Sequence, residues 1–282
     1  MLTTAVPSRV EQLLPLLACP GCHGLLDFWG GKLACTACAA SYPLQDGRPI
    51  FLPEQAQVKV MPENHRSNQP PPEVLDWLTW LDGYALNLGA GGTEVKLENS
   101  IELEYSLFRH TDVVADAHQL PFGDAVFDAV VTFNTFEHLV SPVRAAGEIH
   151  RVLKPGGRLV LHTAFLQPVH EAPYHFYNTT EYGLRHWFEA FTISKVVVSE
   201  NFNPAYVLAW LSSEILRAVE SELGKEAAQK LADSPLAFWR STWEDPSLQD
   251  NALWAILRRL PEEIQRRFAA GFQLEAIKPC LA

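Results

Sequence analysis

The chain has 282 residues, 48% of them hydrophobic and 20% charged, which is ordinary for a globular protein with a sizeable core. Its formal net charge of −11 disfavours a nucleic-acid partner, because a phosphate backbone is bound through a local basic patch. No stretch approaches the roughly 18 apolar residues of a membrane helix, and the first twenty residues lack the basic start of an export signal. We therefore expect a cytoplasmic protein with no membrane partner.

Four of the five cysteines stand in two C-x-x-C pairs near the start of the chain, Cys19 with Cys22 and Cys35 with Cys38. Two such turns supply four thiolates for one tetrahedral zinc ion. Because these ligands fill all four positions, no position is left for water or substrate, and the predicted zinc is structural. We interpret the fifth cysteine, Cys280, as a plain thiol.

The cysteine-rich segment resembles a small zinc-ribbon family known as activating partners of tRNA and protein methyltransferases. The resemblance covers both cysteine pairs, Tyr42 with Pro43, and the run DGRPIFLP from Asp46 to Pro53, which follows the family's terminal strand. We therefore delimit a zinc ribbon at residues 1–53. Residues 54–80 are predicted to form a polar linker or wrapping arm that runs into a short helix.

The next segment, YALNLGAGGTE at residues 84–94, predicts a strand that enters a glycine-rich turn. Its glycines let the backbone approach a ligand, and a helix after the turn would aim its N–H groups at an anion. Further strands are predicted at residues 100–106, in residues 112–118 before an Asp-Ala-His turn, at residues 127–133 and at residues 158–162. Strands that alternate with helices predict a parallel, doubly wound α/β sheet.

These segments together resemble the class I methyltransferases that use S-adenosylmethionine, over about residues 85–201. The motifs stand in the family's order: LNLGAGG at 86–92, DAH at 116–118, FDAVV at 127–131, EHL at 137–139 and LKPGGRL at 153–159. The resemblance implies a seven-stranded Rossmann-like methyltransferase sheet and S-adenosylmethionine as cofactor, in a catalytic domain of residues 81–282. The residues that it implies for cofactor binding are Leu88, Gly89, Ala90, Gly91, Glu104, Asp116, Ala117, Phe133 and Asn134.

Two positions depart from the family's pattern. Asn87 stands where the family usually carries an acid. Glu104 follows Gly89 by only fifteen positions, so the intervening helix must be short or irregular. Glu102 is therefore an alternative to Glu104 as the acid that holds the ribose hydroxyls.

Titratable residues gather after the fourth and fifth predicted strands, at the edge where an open parallel sheet binds ligands. His170 and His175, with His138 as a third, are candidates for a catalytic base or a substrate-binding group, since a histidine pKa near neutrality suits proton removal. Each of them can instead be a packing or surface residue. His170 and His175 with Glu171 are alternatively ligands for a divalent metal.

The remaining chain predicts a sixth strand at residues 190–200 and a closing seventh strand that starts near Gly271. Between them, residues 204 to about 269 read as a helical insertion that carries four tryptophans. Packing between the helices explains these rings most simply. The insertion is also a candidate lid or homodimer surface.

We therefore expect an S-adenosylmethionine-dependent enzyme that methylates a small molecule or glycan precursor at oxygen. The stretch from Pro173 to Leu184 resembles one found in methyltransferases of polysaccharides and secondary metabolites. One alternative is an RNA or protein methyltransferase that uses the zinc ribbon for recognition. The other is a non-catalytic protein that keeps the fold and binds without turnover.

Overall fold

A computed structural model describes residues 6–275 of the chain. The chain forms two compact units, one of Met1–Phe165 with Phe176–Val196 and one of Leu166–His175 with Val197–Ala282. The predicted boundaries at residues 53 and 80 both fall inside the first unit. The division into ribbon, arm and catalytic domain stays a prediction from the motifs.

The first unit begins with a helix and a small antiparallel sheet. Helix α1 spans Ser8–Leu13, and the sheet has the order β1-β2-β3-β4. Its strands are β1 (Leu26–Trp29), β2 (Lys32–Cys35), β3 (Ser41–Gln45) and β4 (Arg48–Pro49). Gly30 and Gly31 join β1 to β2 with φ angles of +60° and +81°. Two left-handed residues make the tight hairpin turn that fits the twist of the strands.

The central sheet is parallel and has five strands, in the order β7-β6-β5-β8-β9. They are β5 (Ala85–Leu88), β6 (Ser100–Glu104), β7 (Val113–Val114), β8 (Phe127–Phe133) and β9 (Leu153–His162). The prediction of seven strands is wrong for the described residues. Residues 190–200 lie outside the sheet, as do residues 271–275, and the rest of the predicted seventh strand lies beyond the described residues.

The missing sixth strand has a physical reason. A β-branched run such as that from Ile193 to Val198 favours extended backbone, but a strand forms only where a neighbour pairs with it. The side chains of Val197 and Val198 are instead 66% and 71% exposed, and the boundary between the two units falls between Val196 and Val197.

Both faces of the central sheet are covered. On one face, helices α3 (Pro142–Val152) and α4 (Glu181–Trp187) and the zinc-ribbon segment share a single apolar core with the strands. On the other, helix α2 (Pro72–Thr79) packs Val74 and Leu78 against the strands. The Arg158 guanidinium lies 4.3 Å from the centre of the Trp77 ring on this helix. The parallel strands are therefore buried on both sides.

The ribbon segment adds backbone pairing to this shared core. Ala18 N–H donates to Pro121 O at 3.0 Å, and Phe51 N–H donates to Val114 O at 2.8 Å. Ile50 also forms a parallel bridge with Val114. The two ends of the ribbon are thus fixed to the residues on either side of the Asp-Ala-His turn.

The described part of the second unit contains helices and no strand. It contains α5 (Pro204–Leu223), α6 (Lys225–Ala232), α7 (Leu236–Glu244), α8 (Ala252–Arg258) and α9 (Glu262–Arg267). Its apolar core gathers around Val219, Leu231 and Ile256. The predicted helices are therefore present, but their status as an insertion between two strands is unconfirmed. No helix in the described part of the chain is long and apolar enough to cross a membrane.

Candidate functional site

The glycine-rich loop leaves the carboxyl end of β5 at the centre of the sheet. Leu88 and Ala90 are buried, and Gly89 and Gly91 have φ angles of +68° and +62°. A Cβ on Gly91 would lie 2.5 Å from Ser67 Oγ, so only glycine fits there. The predicted helix after this loop is wrong, because residues 89–99 contain no helix.

Glu104 closes the loop from the neighbouring strand. It ends β6, and its Oε1 accepts a hydrogen bond of 2.6 Å from Gly91 N–H. Its Oε2 accepts from the backbone N–H of Tyr105 at 3.0 Å. The predicted ribose-binding acid and the predicted cofactor loop are therefore in direct contact, at the edge where open parallel sheets bind ligands.

Glu102, the alternative acid, lies in a buried polar network instead. It is 2% exposed, and its carboxylate accepts from Thr93 Oγ1 at 2.9 and 3.0 Å. His110 Nδ1 lies 3.2 Å from the same hydroxyl. Burial in this network raises the pKa of Glu102 to about 7. These surroundings favour a structural role for Glu102 and leave Glu104 as the better candidate for the ribose.

Replacement of Glu102 should stabilise the protein at alkaline pH. Its folded-state pKa of about 7 exceeds the ordinary 4.5, so the stability that it contributes is fully present below pH 4.5 and is lost as the pH rises through 7. The glutamine side chain is neutral at every pH. We therefore expect the free energy of unfolding of Glu102→Gln to be about 3 kcal/mol higher than that of the wild type at pH 8. Urea denaturation of both proteins from pH 4.5 to 8 measures this difference.

Three charged side chains also act on Glu102. The charges of Lys96 and Arg109 lower its pKa, and that of Asp112 raises it. A stability difference between variant and wild type that is the same at every pH would contradict the raised pKa.

The Asp-Ala-His turn follows β7. The Asp116 side chain is half exposed, and its Oδ1 accepts from the backbone N–H of His118 at 2.9 Å and from His118 Nδ1 at 2.5 Å. His118 Nε2 in turn accepts from Ser141 N–H at 3.0 Å, which places the imidazole proton on Nδ1. The turn is thus tied to the start of α3, while Ala117 is buried beside it.

Phe133 and Asn134, predicted at the methyl end of the cofactor, finish β8. Phe133 is 2% exposed, and its ring centre lies 4.9 Å from that of His162 at the end of β9. Asn134 has a left-handed φ of +51° and donates its N–H to His162 O at 3.0 Å. A short 3-10 turn, Phe136–His138, follows and carries the candidate base His138, which is half-buried.

Glu137 is a buried acid at this edge of the sheet. The sequence analysis named it only as part of the EHL motif and assigned it no role. Its side chain is fully buried, and its Oε2 accepts from Thr163 Oγ1 at 3.0 Å. Its carbonyl oxygen accepts from the N–H groups of Phe176 and Tyr177 at 2.8 and 3.1 Å. The available signal was an acid in the turn that follows a buried strand, and it pointed to this edge of the sheet.

His170 and His175, the other two candidate bases, belong to the second unit and lie together there. The backbone N–H of His170 donates to His175 Nδ1 at 3.2 Å, and the ring centres are 4.3 Å apart. His170 Nδ1 donates to Pro168 O at 3.0 Å. The structure thus brings these two histidines together as a pair, and their catalytic role stays a prediction.

The four paired cysteines converge in the ribbon segment. The Sγ atoms of Cys19 and Cys38 are 3.6 Å apart, those of Cys22 and Cys35 are 3.5 Å apart, and all four lie within 4.8 Å of one another. Four thiols at this spacing fit a tetrahedral zinc ion.

A parallel sheet with a glycine loop after its central strand and an acid at the end of the next strand defines the nucleotide-binding class of α/β domains. Residues 88–161 match the family model described as a methyltransferase domain, and residues 11–47 match that of the Trm112p-like proteins. The chain therefore carries a methyltransferase domain behind a Trm112p-like segment, as both resemblances predicted.

Curated relatives and solved structures share parts of this arrangement. A demethylmenaquinone methyltransferase of Thermus thermophilus is 51% identical over 47 residues, which cover 17% of this chain and 21% of that protein. An uncharacterized methyltransferase of Mycobacterium tuberculosis is 36% identical over 110 residues, 32% of this chain and 44% of that protein. A Haloferax volcanii complex of the Trm112 methyltransferase activator with a methyltransferase is 19% identical, covers 42% of this chain and 69% of that one, and has a TM-score of 0.29.

The chain spans only part of these relatives, between 20% and 44% of the length of the first curated proteins that it matches. Acceptor and partners therefore belong to the proposal that follows.

Proposed function

We propose that the protein transfers the methyl group of S-adenosylmethionine to a hydroxyl of a small molecule or glycan precursor. The observation that carries this proposal is the hydrogen bond between Glu104 Oε1 and Gly91 N–H. It joins a glycine loop and an acid at the carboxyl ends of two neighbouring parallel strands, which is the arrangement that a nucleoside cofactor needs.

The residues present fit such a cofactor. Glu104 is a half-buried carboxylate that can accept from both ribose hydroxyls, and Asp116 is a half-exposed carboxylate that can accept from an adenine amine. Gly89 and Gly91 have no side chain, which lets Thr135 and Ser67 approach the loop backbone closely. Nearby, Asn87 Oδ1 is buried without a hydrogen-bond partner among the described residues.

When bound, S-adenosylmethionine supplies the activated methyl group. The protein then has to position the acceptor in line with that group, exclude water and remove a proton from a hydroxyl acceptor. We assign the exclusion of water to the buried ring of Phe133 and the proton to an imidazole nitrogen of His138, which lies in the same unit as the glycine loop. A zinc ion held by the four cysteines would be structural, since all of its ligands would be protein thiolates.

The names of the curated relatives support a small organic acceptor. They include the demethylmenaquinone methyltransferase, a ubiquinone/menaquinone biosynthesis C-methyltransferase of a Geobacter strain and an O-methyltransferase of Penicillium expansum. A phenolic acceptor can be methylated at oxygen or at a ring carbon after loss of the same proton. A base is therefore useful in either case.

Cofactor binding should depend on the carboxylate of Glu104. We expect Glu104→Gln to weaken the binding of S-adenosylhomocysteine about 30-fold, because charge-assisted bonds to a diol are lost and a neutral amide replaces them. Isothermal titration calorimetry measures the dissociation constant. Glu102→Gln is the matched control, and its dissociation constant should stay within about threefold of the wild type. If the two variants bind alike, Glu104 does not hold the ribose.

The acceptor class is tested with fractionated cell extract and S-adenosylmethionine labelled in the methyl group. Label in small metabolites or glycan precursors supports the proposal. Label in RNA or protein would replace it with the alternative of a macromolecular substrate.

A homodimer through the helices of the second unit is proposed from the sequence, and analytical ultracentrifugation tests it.

A further inference from the structure

The glycine loop is held from outside by the arm that leaves the zinc ribbon. In the described chain, residues 89–99 have no helix to continue and brace the loop. Residues 65–69 of the arm occupy that place, and we call them the loop clamp. They were predicted only as part of a linker or wrapping arm.

Three side chains of the loop clamp bond the loop backbone. Asn68 Nδ2 donates to Gly89 O at 2.9 Å, and Ser67 Oγ accepts from Gly92 N–H at 2.9 Å. The Gln69 amide makes two bonds to the loop, donating through Nε2 to Gly92 O at 2.8 Å and accepting through Oε1 from Glu94 N–H at 2.9 Å. Its Nε2 also donates to Ser67 O at 3.0 Å within the loop clamp. Polar backbone groups on both sides of the turn are thus satisfied by side chains from the arm.

The backbones of the two segments also come close together. Ser67 N–H donates to Gly92 O at 3.3 Å. A Cβ on Gly92 would lie 2.5 Å from the carbonyl oxygen of His65. The absence of a side chain at Gly92 therefore leaves room for the loop clamp.

The loop clamp is anchored at both ends, which fixes the backbone positions from which its side chains extend. Upstream, Met61 N–H donates to Leu107 O and Leu107 N–H donates to Lys59 O, both at 2.8 Å. The His65 ring lies 5.3 Å from that of Phe108. Downstream, the chain enters α2, which packs on the sheet. A segment tied down on both sides can hold a neighbouring loop in one conformation.

We propose that Ser67, Asn68 and Gln69 are positioning residues of the cofactor site, which set the backbone of the Gly89–Gly92 loop for the methionine part of the cofactor. The inference rests on the proposed function and adds a part of the chain that lies outside the methyltransferase-domain match at residues 88–161. The inference predicts a selective loss of affinity. Loss of the loop clamp should weaken the binding of a ligand that carries the amino-acid end of the cofactor more than that of a ligand that lacks it.

Two probes and two charge-neutral variants test this selectivity. S-adenosylhomocysteine carries the amino-acid end, whereas 5′-methylthioadenosine has the same nucleoside without it. Gln69→Met keeps the length of the side chain and removes its two bonds to the loop together with its bond to Ser67 O. Ser67→Ala removes the acceptor for Gly92 N–H. Gln57→Met is the matched control, an exposed glutamine in the same arm upstream of the loop clamp. Calorimetry gives each dissociation constant, and thermal unfolding without ligand reports on the fold.

We expect each variant to weaken S-adenosylhomocysteine about fivefold and the double variant about 20-fold, with methylthioadenosine changed less than about twofold. Gln57→Met should bind both probes like the wild type. Equal weakening of both probes, or wild-type affinity in the double variant, overturns the inference alone. A wild-type protein that binds neither probe overturns the proposed function and the loop clamp with it.

Discussion

Loss of one of the four paired cysteines should destabilise the central sheet as well as the zinc ribbon. We expect Cys19→Ser to lower the melting temperature by at least about 10 °C and to abolish stoichiometric zinc. A structural zinc site contributes about 10 kcal/mol or more to folding, which is comparable to the whole stability of a domain. The ribbon's own strands have only two to five residues each, so little else holds it.

The effect should extend to the central sheet because the two parts share one core. Cys19 and Leu33 belong to the same cluster of buried side chains as Leu86 and Ile101 of the sheet. Gln119, just after the Asp-Ala-His turn, donates through Nε2 to Pro20 O in the first cysteine turn at 2.7 Å. A ribbon that unfolds therefore removes packing and hydrogen bonds from the segment that carries Asp116.

Metal analysis by mass spectrometry and circular dichroism during heating measure both parts of this prediction. Cys280→Ser is the matched control, the same substitution at a cysteine outside the described residues. It should keep one zinc per chain. A Cys19→Ser protein that retains its zinc, or that melts with the control, would show that the four thiols are not a structural metal site.

The parts of the fold that the sequence predicted well are those with a local cause. The fourth strand was predicted at residues 127–133 and is observed as Phe127–Phe133, because a continuous apolar run between turn residues suits a strand buried on both faces. Two other observed features have a local cause of the same kind. Gly30 and Gly31 tolerate the positive φ of their hairpin turn. The Thr180 side chain accepts from Gly183 N–H at 3.1 Å and caps the helix that follows.

The parts that the sequence did not predict depend on contacts between distant residues. Nothing local in the arm shows that Asn68 bonds Gly89, 21 positions away. The choice between Glu102 and Glu104 likewise depends on which side chain is buried, and strand alternation alone puts both on the same face of the sheet. The predicted sixth strand is absent for a related reason. Its β-branched residues favour extended backbone, but no neighbouring strand pairs with them.

Asp112 is the centre of a charge cluster that joins the first helix to the sheet. Arg9, on α1, donates to both of its oxygens through Nε at 2.8 Å and an Nη at 3.0 Å, and Lys96 pairs with Oδ2. Oδ2 also accepts from Glu102 N–H at 2.8 Å. The Asp112 side chain is only 6% exposed, so it is the most buried member of this cluster, and both cations also donate to Ser100 O.

We expect Asp112→Asn to lower the free energy of unfolding by about 3 kcal/mol at pH 7, because removal of one partner from a buried ion cluster leaves the other charges uncompensated. Urea denaturation measures the change. Asp124→Asn is the matched control, since Asp124 pairs with Arg151 at 2.9 Å but has a side chain that is 70% exposed. Its loss should cost less than about 1 kcal/mol.

The pH dependence of stability separates the charge of Asp112 from its shape. Burial raises the pKa of Asp112, but the hydrogen bond from Arg9 and the charge of Lys96 outweigh burial and lower it below the ordinary value. A lowered pKa contributes stability that is present above about pH 4 and is lost as the pH falls through the folded-state value. The gap between wild type and Asp112→Asn should therefore narrow in acid. If Asp112→Asn costs no more than Asp124→Asn, or the gap stays constant down to pH 2.5, the cluster does not hold α1 on the sheet.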